Sequence, residues 1–390
     1  LPYVSFMITQ QIIYLDNNAT TVCAPEVVDE MLPYFAEQYG NASSTHLAGR
    51  QAFRSVEKAR EKIAALLNVQ PSELFFNSGA TEGNNWLLLA FAQMESHTRR
   101  RIVVSAIEHK SVLDAALRLR RFAFDVHLLP VTPAGVVDLA QAAAIITPDT
   151  ALVAVQYANN ETGVVQPIAE LIEMTHAVGA FFHCDAVQGL GKAQLDFSTL
   201  MVDSAVFSAH KIHAPKGVGA LYIRGGARSW NFDFPIKGGG QEHSIRPGTY
   251  NVPGIVGFGK AAELIQESLL ESIQHMNNLR GTLEDRLKQI IPHCHIHGKG
   301  AIRLPNTTNF VLNGVSADIL MPNIPLCCVS TGSACNSGTI SPSYVLAAMG
   351  CQVKENRESI RISLSRYTLH AEIDNFIVAL SDAYSNLLRM

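Results

Sequence analysis

Between residues 73 and 223 short apolar stretches alternate with amphipathic ones, and no other feature of the chain limits its possible folds so sharply. Strand candidates fall near 73–77, 102–105, 124–129, 151–156, 180–184, 202–207 and 218–223, with helix candidates near 81–94, 111–121, 138–146 and 167–178. Strands joined through helices cannot close as hairpins, so they return by crossovers and pair mostly in parallel under helices on both faces. The expectation is an α/β fold with a mostly parallel seven-stranded sheet flanked by helices. Ligands in such sheets bind beyond the carboxyl ends of the strands, which is where the polar loops of this chain fall.

Outside that region the pattern changes. Residues 12–16 suit a short strand, Pro25 suits the start of a helix through Met31, and an amphipathic run over 50–67 suits another. After Gly238-Gly239-Gly240 a polar, glycine-rich loop reaches Asn251, and a long helical stretch follows over about 255–290. Weaker strands near 307–312 and 360–364, with helices near 343–349 and 371–386, suggest a smaller α+β domain at the C-terminus. The division expected is a large domain over 14–260 and a small one over 261–390, with residues 1–13 an extension packing near the small domain. At 390 residues with 47% hydrophobic content, the chain can bury cores of that size.

Composition narrows the function. A net charge of −4 carries no basic bias, so nucleic acid is not expected as a direct partner. No apolar run approaches the length of a bilayer span, and residues 1–6 lack the charged start and apolar core of a signal peptide. Seven cysteines in irregular spacing suggest reduced thiols in a cytoplasmic protein. The adjacent Cys327 and Cys328 make no CxxC pair, and no metal-ligand spacing stands out, so no metal is expected.

The segment 202–211 carries the first chemical signal. Apolar at Val202, Ala205, Val206 and Phe207, it reads as a buried strand ending in Ser208, Ala209, His210 and Lys211. A lysine delivered from such a strand is a candidate Schiff-base former, because desolvation favours the neutral amine; the plain alternative is a solvated charge that ends the strand. Four other strand ends point to the same edge. Asn77-Ser78-Gly79-Ala80-Thr81-Glu82 opens a helix whose amides suit a phosphate, or is a plain cap. Asp185 ends an apolar strand and needs a partner, which a protonated pyridine nitrogen or a helix start would supply. His109 follows the strand near 102–105, where an imidazole can stack on an aromatic ring and move protons, or serve structure alone. Asn160 lies at another strand end, where its amide can bond a ring substituent or a turn.

Together these stretches resemble the cysteine desulfurases among the class V aminotransferases. The resemblance rests on Asp16-Asn17-Asn18-Ala19-Thr20-Thr21, Ser78-Gly79-Ala80-Thr81-Glu82, Glu108-His109-Lys110, Asn159-Asn160-Glu161, Asp185-Ala186-Val187-Gln188 and Ser208-Ala209-His210-Lys211. Gly238-Gly239-Gly240-Gln241-Glu242, Arg246-Pro247-Gly248-Thr249 and Gly332-Ser333-Ala334-Cys335 extend it, in order, from about Tyr14 to the C-terminus.

The resemblance implies a fold-type I enzyme using pyridoxal 5'-phosphate, normally a homodimer. By motif position Lys211 would bond the cofactor covalently, Asp185 would pair with its ring nitrogen and His109 would stack on the ring. Gln188 and Asn160 would contact the ring hydroxyl or its surroundings. Ala80, Thr81, Ser208 and His210 would hold the phosphate, with Thr249 arriving from the other subunit. Arg361 matches the family's arginine for the substrate carboxylate, and Cys335 its nucleophile. The implied reaction takes sulfur from L-cysteine, releases L-alanine and leaves a persulfide on Cys335 for an acceptor protein. The other six cysteines read as packing residues. The chain departs from the family pattern at Ala214, at His243-Ser244 and at Met321-Pro322-Asn323-Ile324-Pro325, where two prolines should break an expected helix.

Overall fold

The computed structural model describes residues 12–94, 98–226, 229, 234–331 and 342–389. Its strands in chain order are β1 (Ile13–Tyr14), β2 (Leu74–Asn77), β3 (Arg101–Ser105), β4 (Asp125–Leu129), β5 (Thr150–Ala154), β6 (Phe181–Asp185), β7 (Ser204–Ser208), β8 (Gly219–Ile223), β9 (Thr307–Val311), β10 (Cys327–Cys328) and β11 (Ser359–Ser363). The main helices are α1 (Pro25–Met31), α2 (Leu47–Leu67), α3 (Ala80–Ala92), α4 (Lys110–Arg118), α5 (Leu139–Ile145), α6 (Ile168–Ala177), α7 (Val252–Ile290) and α8 (His370–Leu387).

Seven strands form the central sheet in the order β2-β8-β7-β6-β5-β3-β4. All pairs from β7 to β4 are parallel, and β8 runs against both its neighbours. Because β8 is reversed twice, β2 points the same way as β7, so the carboxyl ends of β2, β3, β5, β6 and β7 share one edge. The alternation along each strand divides the helix layers: Phe182 and Cys184 of β6 join one hydrophobic cluster, while Phe181 joins another.

Helix α2 shows how local chemistry sets an element. The His46 ring accepts from the Gly49 N–H at 3.2 Å at its start, and Asn68 takes a left-handed φ of 54° at its end. Between them Ala52, Val56, Ala59, Ile63 and Leu67 recur every three or four residues as a buried stripe. That stripe faces α7 at close range: a Cβ on Gly259 would lie 2.6 Å from Ala59. Burial of each Val, Ile or Leu there contributes about 1.5–3 kcal/mol.

The 39 residues of α7 span about 58 Å and serve two cores. Ile255, Val256, Phe258 and Ile265 pack with the sheet, whereas Leu279, Leu283 and Leu287 pack in a second cluster with β9, β11 and α8. Ile13 and Leu15 also join that second cluster, through β1 paired with β10 and a bridge from Asp16 to Ser363. As the prolines require, the helix Ala317–Leu320 stops after four residues and gives way to a 3-10 turn, Met321–Asn323. The six cysteines among the described residues are all unpaired. No helix of the described residues is long and apolar enough to cross a membrane.

Candidate active site

At the shared strand edge lies a cavity of about 300 Å³. From the β2 side, Gly79 turns the chain with a φ of 148°, a conformation that favours glycine, and α3 begins at Ala80 with no side-chain cap. The Ala80 N–H donates to Ser208 Oγ at 2.9 Å, so β2 and β7 are tied at the cavity wall. Thr81 also lines the cavity, leaving the start of a thirteen-residue helix facing it. From β3 comes His109; from the loop after β5, Asn160; from β6, Asp185 and Gln188; from β7, Ser208, His210 and Lys211. Arg361 enters on β11 from the second core.

Asp185 is buried, yet no cation among the described residues pairs with it. Its Oδ1 accepts from the Val187 N–H at 3.2 Å and its Oδ2 from the Asn84 amide at 2.9 Å. A carboxylate only accepts, so the Asn84 amide nitrogen must face it. Asn84 Oδ1 then faces His183 Nε2 at 2.8 Å and can only accept, which puts the proton on that nitrogen. His183 Nδ1 in turn accepts from Ser204 Oγ at 2.8 Å, across the β6–β7 register. Burial pushes the His183 pKa down to about 3, so this buried imidazole is neutral. Every dipole of the chain Ser204, His183, Asn84 thus points its hydrogen toward Asp185.

Asn84 has a second amide hydrogen, given to Ser111 Oγ at 2.9 Å. The Ser111 hydroxyl is left to donate to His109 Nδ1 at 2.8 Å, and the Ser111 N–H donates to the same nitrogen at 3.1 Å. His109 is therefore both a helix cap for α4 and a cavity group whose Nδ1 is occupied, so a neutral ring carries its proton on Nε2. One buried amide orients both the carboxylate and the imidazole.

Basic side chains line or flank the rest of the cavity. Lys211 Nζ donates to the carbonyls of Asn18 at 2.6 Å and Ala19 at 2.7 Å. Lys192, buried nearby, donates to Gln188 Oε1 at 2.7 Å, which leaves the Gln188 amide nitrogen to donate to the Asn18 carbonyl at 3.2 Å. Burial, then the charges of Lys211 and Arg361, lower the Lys192 pKa to about 7. His210 falls to about 4, through burial and then Lys211, Lys216 and Lys192. Arg361 pairs with Asp16 at 2.6 Å and donates to the Asn160 carbonyl at 3.1 Å, while its buried Nε has no partner among the described residues. A cavity with one buried anion at its floor and cationic groups on its wall suits a ligand with a cationic ring and anionic substituents.

Ten residues expected from the sequence line this one cavity: Ala80, Thr81, His109, Asn160, Asp185, Gln188, Ser208, His210, Lys211 and Arg361. Thr249 lines a neighbouring cavity of about 160 Å³, with Ser78 and Arg246, and is exposed. The Arg246–Glu82 ion pair, at 2.9 Å, holds its loop near the start of α3. Cys335 lies outside the described residues. The sequence reading missed Asn84, Ser111 and Lys192. Asn84 had a signal, a polar residue set among Trp86, Leu87 and Leu88 in an apolar helix, where a buried amide needs partners.

The chain is 44% identical over 378 residues to a cysteine desulfurase of Trichormus azollae, covering 96% of this chain and 94% of that one. A solved NifS-like protein superposes with a TM-score of 0.89 at 38% identity, covering 96% of this chain and all of the other. SspA, solved in complex with cysteine, superposes with a TM-score of 0.79 at 32% identity over 91% of this chain and 99% of the other. The family profile "Aminotransferase class-V" matches residues 13–376, and the chain belongs to that family.

Proposed function

We propose that the chain is a pyridoxal 5'-phosphate-dependent cysteine desulfurase that converts L-cysteine to L-alanine and keeps the sulfur as a persulfide on Cys335. One observation carries the reading most directly: Asp185, a buried carboxylate whose donors among the described residues are neutral, shares a cavity with Lys211. The relatives named cysteine desulfurase and the neighbour solved with cysteine support the substrate.

The residues present fit the cofactor. An uncompensated buried carboxylate needs a cation, and a protonated ring nitrogen is one; the uncapped start of α3, with Ser208 and His210, suits the phosphate. Bound there, pyridoxal phosphate would act as the electron sink for bond cleavage at the substrate.

The chain's own groups do the rest. Asp185 would hold a protonated ring nitrogen, and Asn84 fixes the face that Asp185 presents. Gln188 and Asn160 would contact the ring hydroxyl or its surroundings. His109, with Nδ1 engaged, offers Nε2 for proton transfer. Lys211 Nζ, held between two carbonyls, would hold the cofactor covalently and could then move protons at the substrate carbon. Arg361 takes the substrate carboxylate. The Cys335 thiolate attacks the substrate sulfur: a sulfur–sulfur bond forms, the carbon–sulfur bond breaks, and its electron pair stays with the carbon, which is protonated to alanine.

In this reading the large domain (14–260) supplies the cofactor site and the small domain (261–390) supplies Arg361 and Cys335. The protein works in the cytoplasm as a homodimer, the exposed Thr249 of each subunit completing the phosphate site of the other. Sulfur passes from Cys335 to an acceptor protein, for iron–sulfur cluster assembly, transfer RNA thiolation or another sulfur-modified product. The test is a single-turnover reaction with L-cysteine, following alanine and protein persulfide. Wild type should give both, and Cys335→Ala should retain the cofactor but give neither. Lys211→Ala should lose the absorbance of covalently held cofactor. Alanine with free sulfur from Cys335→Ala would replace this reading with that of a lyase.

A further inference from the structure

A second cluster of chemically active side chains lies in the small sheet. His295 and His297 stand on a segment that pairs with β9: the His297 N–H donates to the Asn309 carbonyl at 2.8 Å and the Val311 N–H to the His295 carbonyl at 3.0 Å. In an extended segment the two-residue spacing puts both imidazoles on one face, while Ile296 between them points into the core. Their ring centroids are 5.0 Å apart. Glu355, on the short helix Val353–Arg357, brings its carboxylate to 3.9 Å from His295 Nε2. One donor atom from each of the three lies within 4.8 Å of the others.

The hydrogen bonds around His297 have the pattern of a supported metal ligand. Ser359 Oγ donates its hydrogen to the Glu355 carbonyl at 2.8 Å. It can therefore only accept from His297 Nε2, 2.9 Å away. That fixes the tautomer and leaves Nδ1 with the lone pair, and a ligating histidine commonly anchors its other nitrogen in this way.

We propose that His295, His297 and Glu355 form a binding site for a divalent transition-metal ion of the zinc class. Two imidazoles and a carboxylate are a familiar donor set for such ions, with a fourth position left for water or another ligand. Bonds of about 2.0–2.2 Å at tetrahedral angles place donors about 3.3–3.6 Å apart, so the cluster must tighten on binding. It has the freedom to do so, because the His295 side chain is 60% exposed and that of Glu355 34%. Sequence spacing hid the site because Glu355 follows His297 only after 58 residues. An ion there would also brace Ser343 through Asn356, the neighbour of Glu355. Asn356 grips Ser343 with two bonds of 2.8 Å, and Ser343 follows residues 332–341 closely.

The test is zinc titration calorimetry on the full-length, chelator-treated protein carrying Cys335→Ala, which removes a competing thiol. The single variants His295→Ala and Glu355→Gln alter exposed or half-exposed side chains, so the metal-free melting temperature should stay unchanged. The expected result is one zinc ion per chain, with each single variant weakening binding by at least about 10-fold, the lower end of what losing even an outer partner costs. Zinc should raise the melting temperature of the parent and not that of the double variant. Equal binding by parent and double variant would overturn the proposal and leave His295 and Glu355 as an ion pair only.

Discussion

The floor and the rim of the active-site cavity hold their charges in opposite ways. At the floor, Asp185 is stabilised by the Val187 N–H and the Asn84 amide, with no cation among the described residues. At the rim, Arg361 already has a carboxylate, Asp16, at 2.6 Å and keeps only part of its donor fork for a ligand. In the proposed reaction the difference corresponds to how long each partner would stay. An uncompensated buried anion gains most from a cation that never leaves, as a cofactor's ring nitrogen would be. An arginine already partly neutralised binds a second carboxylate less tightly, which suits a substrate and product that must exchange.

Substitutions should break this contrast in a graded way. Asp185→Asn removes the floor charge while keeping its shape, and should lower kcat by about 100-fold or more with little change in the KM for cysteine. Steady-state kinetics with saturating cofactor checks this, and an unchanged kcat would mean that the ring nitrogen is not held there. Arg361→Lys keeps the rim charge but loses the fork; KM should rise about 10-fold or more with kcat nearly preserved. A fall in kcat alone would place Arg361 in the chemistry rather than in binding.

Asn84→Ala cuts the link between floor and imidazole, leaving Asp185 Oδ2 and His183 each short of a partner. A loss of about 1–3 kcal/mol in unfolding free energy is expected, with a shifted pH profile for turnover. If Asp185→Asn and Asn84→Ala are additive in a double-mutant cycle, the coupling drawn here is absent. The smallest effect concerns acid. His183 at about 3, with His210, His213 and His297 at about 4, all lie below the usual histidine value of about 6.5. Below pH 6.5 the unfolded chain therefore binds more protons at these positions, and stability should fall progressively as pH drops toward 4. Glu108, raised to about 8 by burial, and Glu161, also raised, act in the opposite sense and moderate the slope. Denaturant midpoints at pH 7.5 and 5.5 measure the net effect. A higher midpoint at pH 5.5 would mean that the carboxylates outweigh the imidazoles.

Much of the architecture was legible from local pattern. The sheet strands appear within about two residues of their expected positions, because a strand buried on both faces must be a short apolar run. Lys211, Asp185, His109 and Asn160 were legible for the same reason: each follows a buried strand, and the parallel topology puts those ends on one edge. The helix break at Pro322 was legible because proline acts on its own backbone.

Other features had no local trace. Asn84 could be seen as a polar residue in an apolar helix, but its partners Asp185 and Ser111 are 101 and 27 residues away. Lys192 looks like any lysine until the fold buries it behind Gln188. The pairing of Arg361 with Asp16 spans 345 residues and depends on β1 being drawn into the second core. By itself the sequence determined which residues form strands, which strands end in chemistry, and the family those ends resemble, since periodicity and motif are properties of neighbours along a chain. Only the tertiary structure decided which donors meet Asp185, how Arg361 is already paired and why His295, His297 and Glu355 converge. Those are distances between remote residues, and packing sets them.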